Sequence, residues 1–247
     1  YNIEAISLLG VNHDTDTADF VITADELTVS ESGSQTDVLL SLTSKPSADV
    51  TVKVTVSDET EIALETDTFV FTSENWDKPQ MIKVQGVDDH IIDGSIVSTI
   101  GLSATSEDTH FEGVKLEKAI EITTEDDDKA EILIEGEGAS LNENTGDTAT
   151  YTISLAAQPT KNVVVTLKTT DASELALESA GTVTFTPENW NTPVEVKVKS
   201  VDDLLTDGNQ KANISMVAAS DDENFNGISA MSPDYVIVDN EQASVVV

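Results

Sequence analysis

Cysteine is absent from this 247-residue chain, so a disulfide framework, a thiolate metal site and a cysteine nucleophile are all excluded. Positive charge is nearly as scarce. Lys and Arg total 12 against 47 Asp and Glu, for a formal net charge of −35. That balance argues against nucleic acid and anionic lipid as partners and leaves cations as the natural ones. No run of about 18 apolar residues exists to form a membrane-spanning helix. Tyr1–Gly10 also lacks the basic and apolar regions of an export signal, so any such signal is expected elsewhere.

An acidic chain can be disordered, but here 38% of residues are hydrophobic and they are regularly spaced, which predicts a folded protein. Self-repulsion at this charge costs stability, and salt or bound divalent ions relieve it.

The strongest signal is an internal repeat. Phe71-Thr-Ser-Glu-Asn-Trp76-Asp-Lys-Pro79 recurs 114 positions later as Phe185-Thr-Pro-Glu-Asn-Trp190-Asn-Thr-Pro193. Val87-Asp88-Asp89, Asp93-Gly94 and Phe111-Glu-Gly113 recur at the same shift as Val201-Asp202-Asp203, Asp207-Gly208 and Phe225-Asn-Gly227. Upstream the shift is 113 for Asp58 and Asp171, and 112 for Glu31 and Glu143, as single-residue loop changes produce. A shorter acidic element occurs three times, as Asp14-Thr-Asp16, Asp126-Asp127-Asp128 and Asp239-Asn240-Glu241. The expected organisation is therefore a tail and linker over 1–16, modules over 17–128 and 129–241, and an opening strand over 242–247. Such a chain reads as an excerpt of a longer array.

Apolar and polar residues alternate with the period of half-buried strands. Val50, Val52, Val54 and Val56 do so in the first copy and Val163, Val165 and Leu167 in the second, while Ile82 and Val84 match Val196 and Val198. Gly and Asp turns separate these runs, and no helix is predicted. Some seven short strands in each copy predict an all-β chain of two tandem Ig-like antiparallel β-sandwiches in a rod-like array.

Calcium takes about six to eight oxygen ligands, mostly from adaptable loops, so acids that recur at strand ends are its natural donors. The candidates are Glu31, Asp58, Asp88, Asp89, Asp93, Asp126, Asp127 and Asp128, with Glu143, Asp171, Asp202, Asp203, Asp207, Asp239 and Glu241 in the second copy. Recurrence is selective, because Glu59 meets Ala172.

In this set the chain resembles the Calx-beta module of sodium/calcium exchangers, integrin β4 and long bacterial surface proteins. Glu31, the loop at Asp58, Val87-Asp88-Asp89 with Asp93, and Glu125-Asp126-Asp127-Asp128 match its acidic positions in order. The resemblance implies loops that converge at one end of each sandwich and hold calcium beside the next domain. The Asn-Trp and Val-Asp-Asp segments resemble the bacterial adhesin branch, which implies an extracellular or cell-surface extender. Its partners would then be calcium, adjacent modules, and a host or cell-surface ligand met through other domains. Copy two departs at Asp239-Asn240-Glu241, which lowers the charge there.

A bound divalent ion bridging the linker to its module would stiffen the array and stabilise the fold by mass action. His13, His90 and His110 are dispersed, and no catalytic arrangement is indicated. Trp76 and Trp190 read as corner packing. A carbohydrate- or surface-recognition module, or an accessory domain of a polysaccharide-degrading enzyme, is the alternative reading.

Overall fold

The structure is a computed structural model and describes residues 15–24 and 26–241. Asp14, His13 and the strand expected over 242–247 lie outside the described residues. The chain divides into two compact units, Tyr1–Asp89 with Gly94–Asp126, and His90–Asp93 with Asp127–Val247. Each is all β, and the described residues contain no α-helix.

Unit 1 carries β1 (Phe20–Ala24), β2 (Thr28–Ser30), β3 (Gln35–Leu42), β4 (Val50–Val56), β5 (Ile62–Leu64), β6 (Thr68–Phe71), β7 (Gln80–Gly86), β8 (Ile96–Ser106) and β9 (Ile120–Glu125). They form two sheets, ordered β1-β3-β7-β5 and β2-β9-β8-β4-β6. All neighbours are antiparallel except β2 and β9, which run parallel. This is an Ig-like sandwich. Alternation explains its core: Val50, Val52 and Val54 on one sheet, with Val38, Leu40, Ile82 and Val84 on the other, are buried in one cluster.

Unit 2 repeats the plan with β10 (Ile132–Glu135), β11 (Ser140–Asn142), β12 (Thr148–Leu155), β13 (Val163–Thr169), β14 (Leu175–Leu177), β15 (Thr182–Phe185), β16 (Val194–Ser200), β17 (Gln210–Ala212), β18 (Ile214–Ser220), β19 (Ser229–Met231) and β20 (Tyr235–Val238). One sheet is β10-β12-β16-β14, and the other appears as β11-β20-β17 and β15-β13-β18-β19. The split falls at Asn213, where unit 1 has the continuous strand β8. Both units share one local device at this point. Thr99 N–H donates to Ser57 Oγ, and Asn213 N–H donates to Thr170 Oγ1. Asn213 also donates its amide to Asp234 Oδ1 at 3.1 Å.

The repeated Asn-Trp motif closes a corner. Asn75 Oδ1 accepts from Thr72 N–H and Asn189 Oδ1 from Thr186 N–H, each at 2.6 Å. The carbonyls of Trp76 and Trp190 accept from Leu42 and Leu155, and both indoles pack against their cores.

One difference between the cores is a pair of phenols. Unit 1 buries Val38 and Ile122 where unit 2 buries Tyr151 and Tyr235. Both phenol oxygens are buried without a hydrogen-bond partner, and burial pushes both phenols above their ordinary range.

A second difference sits beneath the acidic end. A Cβ on Gly86 would lie 2.1 Å from the Ser30 carbonyl oxygen, so β7 passes β2 too closely for any side chain. In unit 2 the equivalent Ser200 fits, and its Oγ donates to Asn142 O at 2.9 Å. Gly86→Ala is expected to destabilise unit 1 by about 1–3 kcal/mol, the usual cost of forced overpacking. Ser200→Ala should cost unit 2 only about 1 kcal/mol, one net hydrogen bond. Urea denaturation of the two variants measures the contrast.

Candidate metal centre

Strand β11 ends at Asn142, and β20 pairs with it in parallel, Asn142 opposite Val238. Parallel strands finish at the same end of a sheet, so the residues that follow, Glu143 on one and Asp239-Asn240-Glu241 on the other, emerge side by side. A single 3-10 turn, Glu143–Thr145, takes the chain off β11 and ends on Gly146 in the left-handed region (φ 62°). Asp147 fixes that turn by accepting from Asn142 N–H at 3.0 Å and from Thr145 Oγ1 at 2.6 Å. These bonds hold its carboxyl below the ordinary range.

Glu143 is buried to 4% exposure. One oxygen each from Glu143, Asp239 and Glu241 lie within 4.8 Å of one another. The backbone wraps around them: Asn240 N–H donates to Glu143 Oε1 at 3.1 Å, Gly208 N–H to Asp239 Oδ2 and Glu241 N–H to Asp239 Oδ1, both at 2.7 Å. Glu241 Oε2 is buried and has no hydrogen-bond partner. Burial first, then the closeness of the Glu143 and Asp239 carboxyls, pushes the Glu241 carboxyl up to about 7.

A second trio lies in the same unit. One oxygen each from Glu174, Asp203 and Asp207 also converge within 4.8 Å. Glu174 is buried to 5% exposure, and burial followed by the charges of Asp207, Asp171, Asp203 and Glu143 raises its carboxyl. Among the described residues no Lys, Arg or His forms an ion pair with any of these six acids. Like charges gathered and desolvated in this way call for a cation. All-oxygen donors without sulfur or imidazole fit a hard ion such as calcium.

Asp171 and Asp202 lie beside these trios without joining them. Asp171 Oδ1 accepts from Ser173 N–H and Oγ, which lowers its carboxyl, and its carbonyl accepts from Leu175 N–H. Asp202 Oδ1 accepts the Asn240 amide at 3.3 Å, which also donates to Glu241 Oε1. The departure from aspartate at Asn240 thus supplies two donors between carboxylates, where an acid would add charge.

In unit 1, Glu31 is buried directly after β2, its N–H donating to Glu125 O at 3.1 Å. Asp58 makes the same turn as Asp171, accepting from Thr60 N–H at 3.0 Å and Thr60 Oγ1 at 2.6 Å. Asp126 Oδ2 accepts Gly94 N–H, the counterpart of Gly208 on Asp239. Asp88 and Asp89 follow β7, while the exposed Asp127 opens the second segment of unit 2. Asp93 and Asp128 belong to unit 2, where Asp128 stands 4.0 Å from His90.

Sequence reasoning missed Glu61 and Glu174. Both are buried, and at the shift of 113 that sets Glu59 against Ala172, Glu61 falls on Glu174. The recurrence was there to be seen.

No family model matches this chain, and no curated protein matches it. Among solved structures, CBD12 of CALX1.2 is 13% identical over 86% of this chain and 98% of its own, with a TM-score of 0.36. Calcium binding domain CBD12 of CALX1.1 is 18% identical over 80% of each chain, also at 0.36. The YadV chaperone is 12% identical over 86% of this chain and 99% of its own, at 0.34. Similarity at this level assigns no function.

The raised Glu241 carboxyl has a thermodynamic sign. The folded state holds that proton more tightly than the unfolded chain, so the group favours folding at low pH and its contribution is lost as pH rises from its ordinary 4.5 to about 7. Asp171 runs the opposite way: its contribution is present at neutral pH and is lost as pH falls through its depressed value. Denaturation of the chelated protein across pH should show unit 2 weakening towards neutrality, and Glu241→Gln should flatten that limb. An unaltered slope in the variant would remove the assignment.

Proposed function

We propose that this chain is a pair of calcium-binding, non-catalytic structural modules of the Calx-beta kind. It would act as an extender in a large secreted or surface-attached bacterial adhesin. The observation that carries the calcium reading is the buried Glu143, converging with Asp239 and with a Glu241 whose Oε2 has no protein partner. A desolvated oxygen cluster on short loops, with no cationic side chain to neutralise it, is what a hard divalent ion stabilises.

The repeat extends the proposal to the first copy. Glu31, Asp126 and Asp128 correspond to Glu143, Asp239 and Glu241, while Glu61, Asp89 and Asp93 correspond to Glu174, Asp203 and Asp207. Asp126-Asp127-Asp128 also joins the two modules along the chain, so an ion held there would restrict the linker's torsions and let the chain carry tension. Neutralising part of the −35 charge adds a general gain in stability. The extracellular and bacterial setting rests on the resemblance of the Asn-Trp and Val-Asp-Asp segments to adhesin modules.

Calcium at about 100 times its dissociation constant should stabilise the fold by about 2.7 kcal/mol for each independent site, at fixed ionic strength. Thermal unfolding with chelator, with calcium and with matched magnesium makes the comparison. The expected outcome is a calcium-selective rise in melting temperature. Equal action by the two ions would reduce the acids to solvated or salt-adapted loops and bring the recognition-module reading forward. Glu143→Gln and Glu174→Gln, followed by calorimetric titration, should each weaken calcium by on the order of tenfold or more, since affinity follows ligand charge.

A further inference from the structure

Unit 2 contains a short segment distant in sequence from the rest of it, His90–Asp93. Contacts with the rest of unit 2 hold that segment. The His90 ring meets the Trp190 indole edge-on at 5.7 Å, the His90 carbonyl accepts Gln158 N–H at 2.7 Å, and the Ile92 carbonyl accepts the Asn224 amide at 3.1 Å. Ile92 packs against the unit 2 core. This end of the sandwich is therefore a socket for a short, partly apolar loop.

The repeat supplies a second loop and a second socket. At the shift of 114, His90-Ile91-Ile92-Asp93 corresponds to Leu204-Leu205-Thr206-Asp207, between β16 and β17. There the apolar side chains stand in solvent: Leu204 is 89% exposed, the highest of the large hydrophobics among the described residues, and Leu205 is 61% exposed. Ile91 and Ile92 are half-buried. In unit 1 the socket residues Trp190, Gln158 and Asn224 correspond to Trp76, Lys45 and His110.

Their neighbourhood is built alike. Asp108 accepts from Ser47 N–H and His110 N–H, as Asp222 accepts from Thr160 N–H and Asn224 N–H. These bonds draw the loop after β3 and the loop after β8 together, as the loops after β12 and β18 are drawn together in unit 2. Lys45 and His110 are exposed.

We propose that Leu204–Leu205 is a docking knob for a second copy of this chain, which receives it at the end of unit 1 that carries Trp76, Lys45 and His110. Leu204 takes the place of His90 against the indole, burying more apolar surface than an imidazole does. The Leu204 carbonyl faces the Lys45 N–H, and the Thr206 carbonyl faces the His110 ring as it would face Asn224. Lys45 also brings a cation to a loop flanked by Asp202, Asp203 and Asp207. Knob and socket belong to different units, so the contact pairs unlike surfaces of two copies.

Sedimentation velocity tests this with three proteins: the unaltered chain, a knobless Leu204→Asp/Leu205→Asp variant, and a socketless Lys45→Glu/His110→Asp variant. The runs are made in saturating calcium and again with chelator, at moderate salt to screen repulsion. The unaltered chain should associate as its concentration is raised to about 1 mM, the range in which weak contacts register. Each variant alone should associate at least about tenfold more weakly, and an equal mixture of the two should stop at dimers, each joined through its one intact knob and one intact socket. Unaltered thermal unfolding of the knobless variant confirms that exposed leucines were removed without harm to the fold. A monomeric unaltered chain at the highest concentration, a knobless or socketless variant that associates normally, or an equal mixture that forms no dimers would each overturn the proposal. The calcium reading is judged separately, from melting temperatures.

Discussion

One parallel pairing inside an otherwise antiparallel sandwich governs the acidic end of each unit. The strand pairs β2 with β9 and β11 with β20 are three residues long, and each brings the entry strand alongside the exit strand with both pointing the same way. In an antiparallel pair the residues following one strand would emerge at the opposite end from those following the other. Here Glu143 and the Asp239–Glu241 tripeptide leave the sheet together, and the Asn240 N–H closes onto the buried glutamate while the Glu241 N–H bonds Asp239. Removing that parallel pairing would scatter the carboxylates whatever their identity.

The gathering opposes folding. Six carboxylates of unit 2 occupy two neighbouring trios, two of the six are buried, and Glu174 lies within the field of Glu143. Hydrophobic burial between the sheets has to exceed this repulsion, and the long runs of alternating valine and isoleucine supply it. A chain built this way trades stability in the absence of an ion for a steep response to one, because whatever neutralises the cluster is linked directly to folding.

Much of this arrangement is legible in the sequence because β-structure and repetition both write themselves in residue spacing. The alternation at Val50–Val56 gives the strand and its buried face, and the shifts of 112 to 114 pair Glu31 with Glu143 and Asp126 with Asp239. Burial was not legible. Glu61 and Glu174 look like ordinary surface acids in strand-adjacent loops, yet each lies beneath the loop that follows β7 or β16, with Val87 N–H and Val201 N–H bonded to their carbonyls. Asp58 and Asp171 recur as faithfully, but in each the carboxylate bonds its own turn, and spacing cannot tell a turn-closing aspartate from one that reaches across loops. The assignment of His90–Asp93 to unit 2 is a tertiary fact without any local signature.

The tyrosines give the two repeats different optical identities. Of the three in the chain, Tyr1 lies outside the described residues, and Tyr151 and Tyr235 are both buried in the core of unit 2. Their phenols resist ionisation while that core is closed, since a phenolate there would have neither water nor a donor to solvate it. Unit 1 has valine and isoleucine at the same two places. In strong base, the delayed part of the tyrosinate absorbance is therefore a chromophoric clock for the opening of the second sandwich alone, built into the chain without any label.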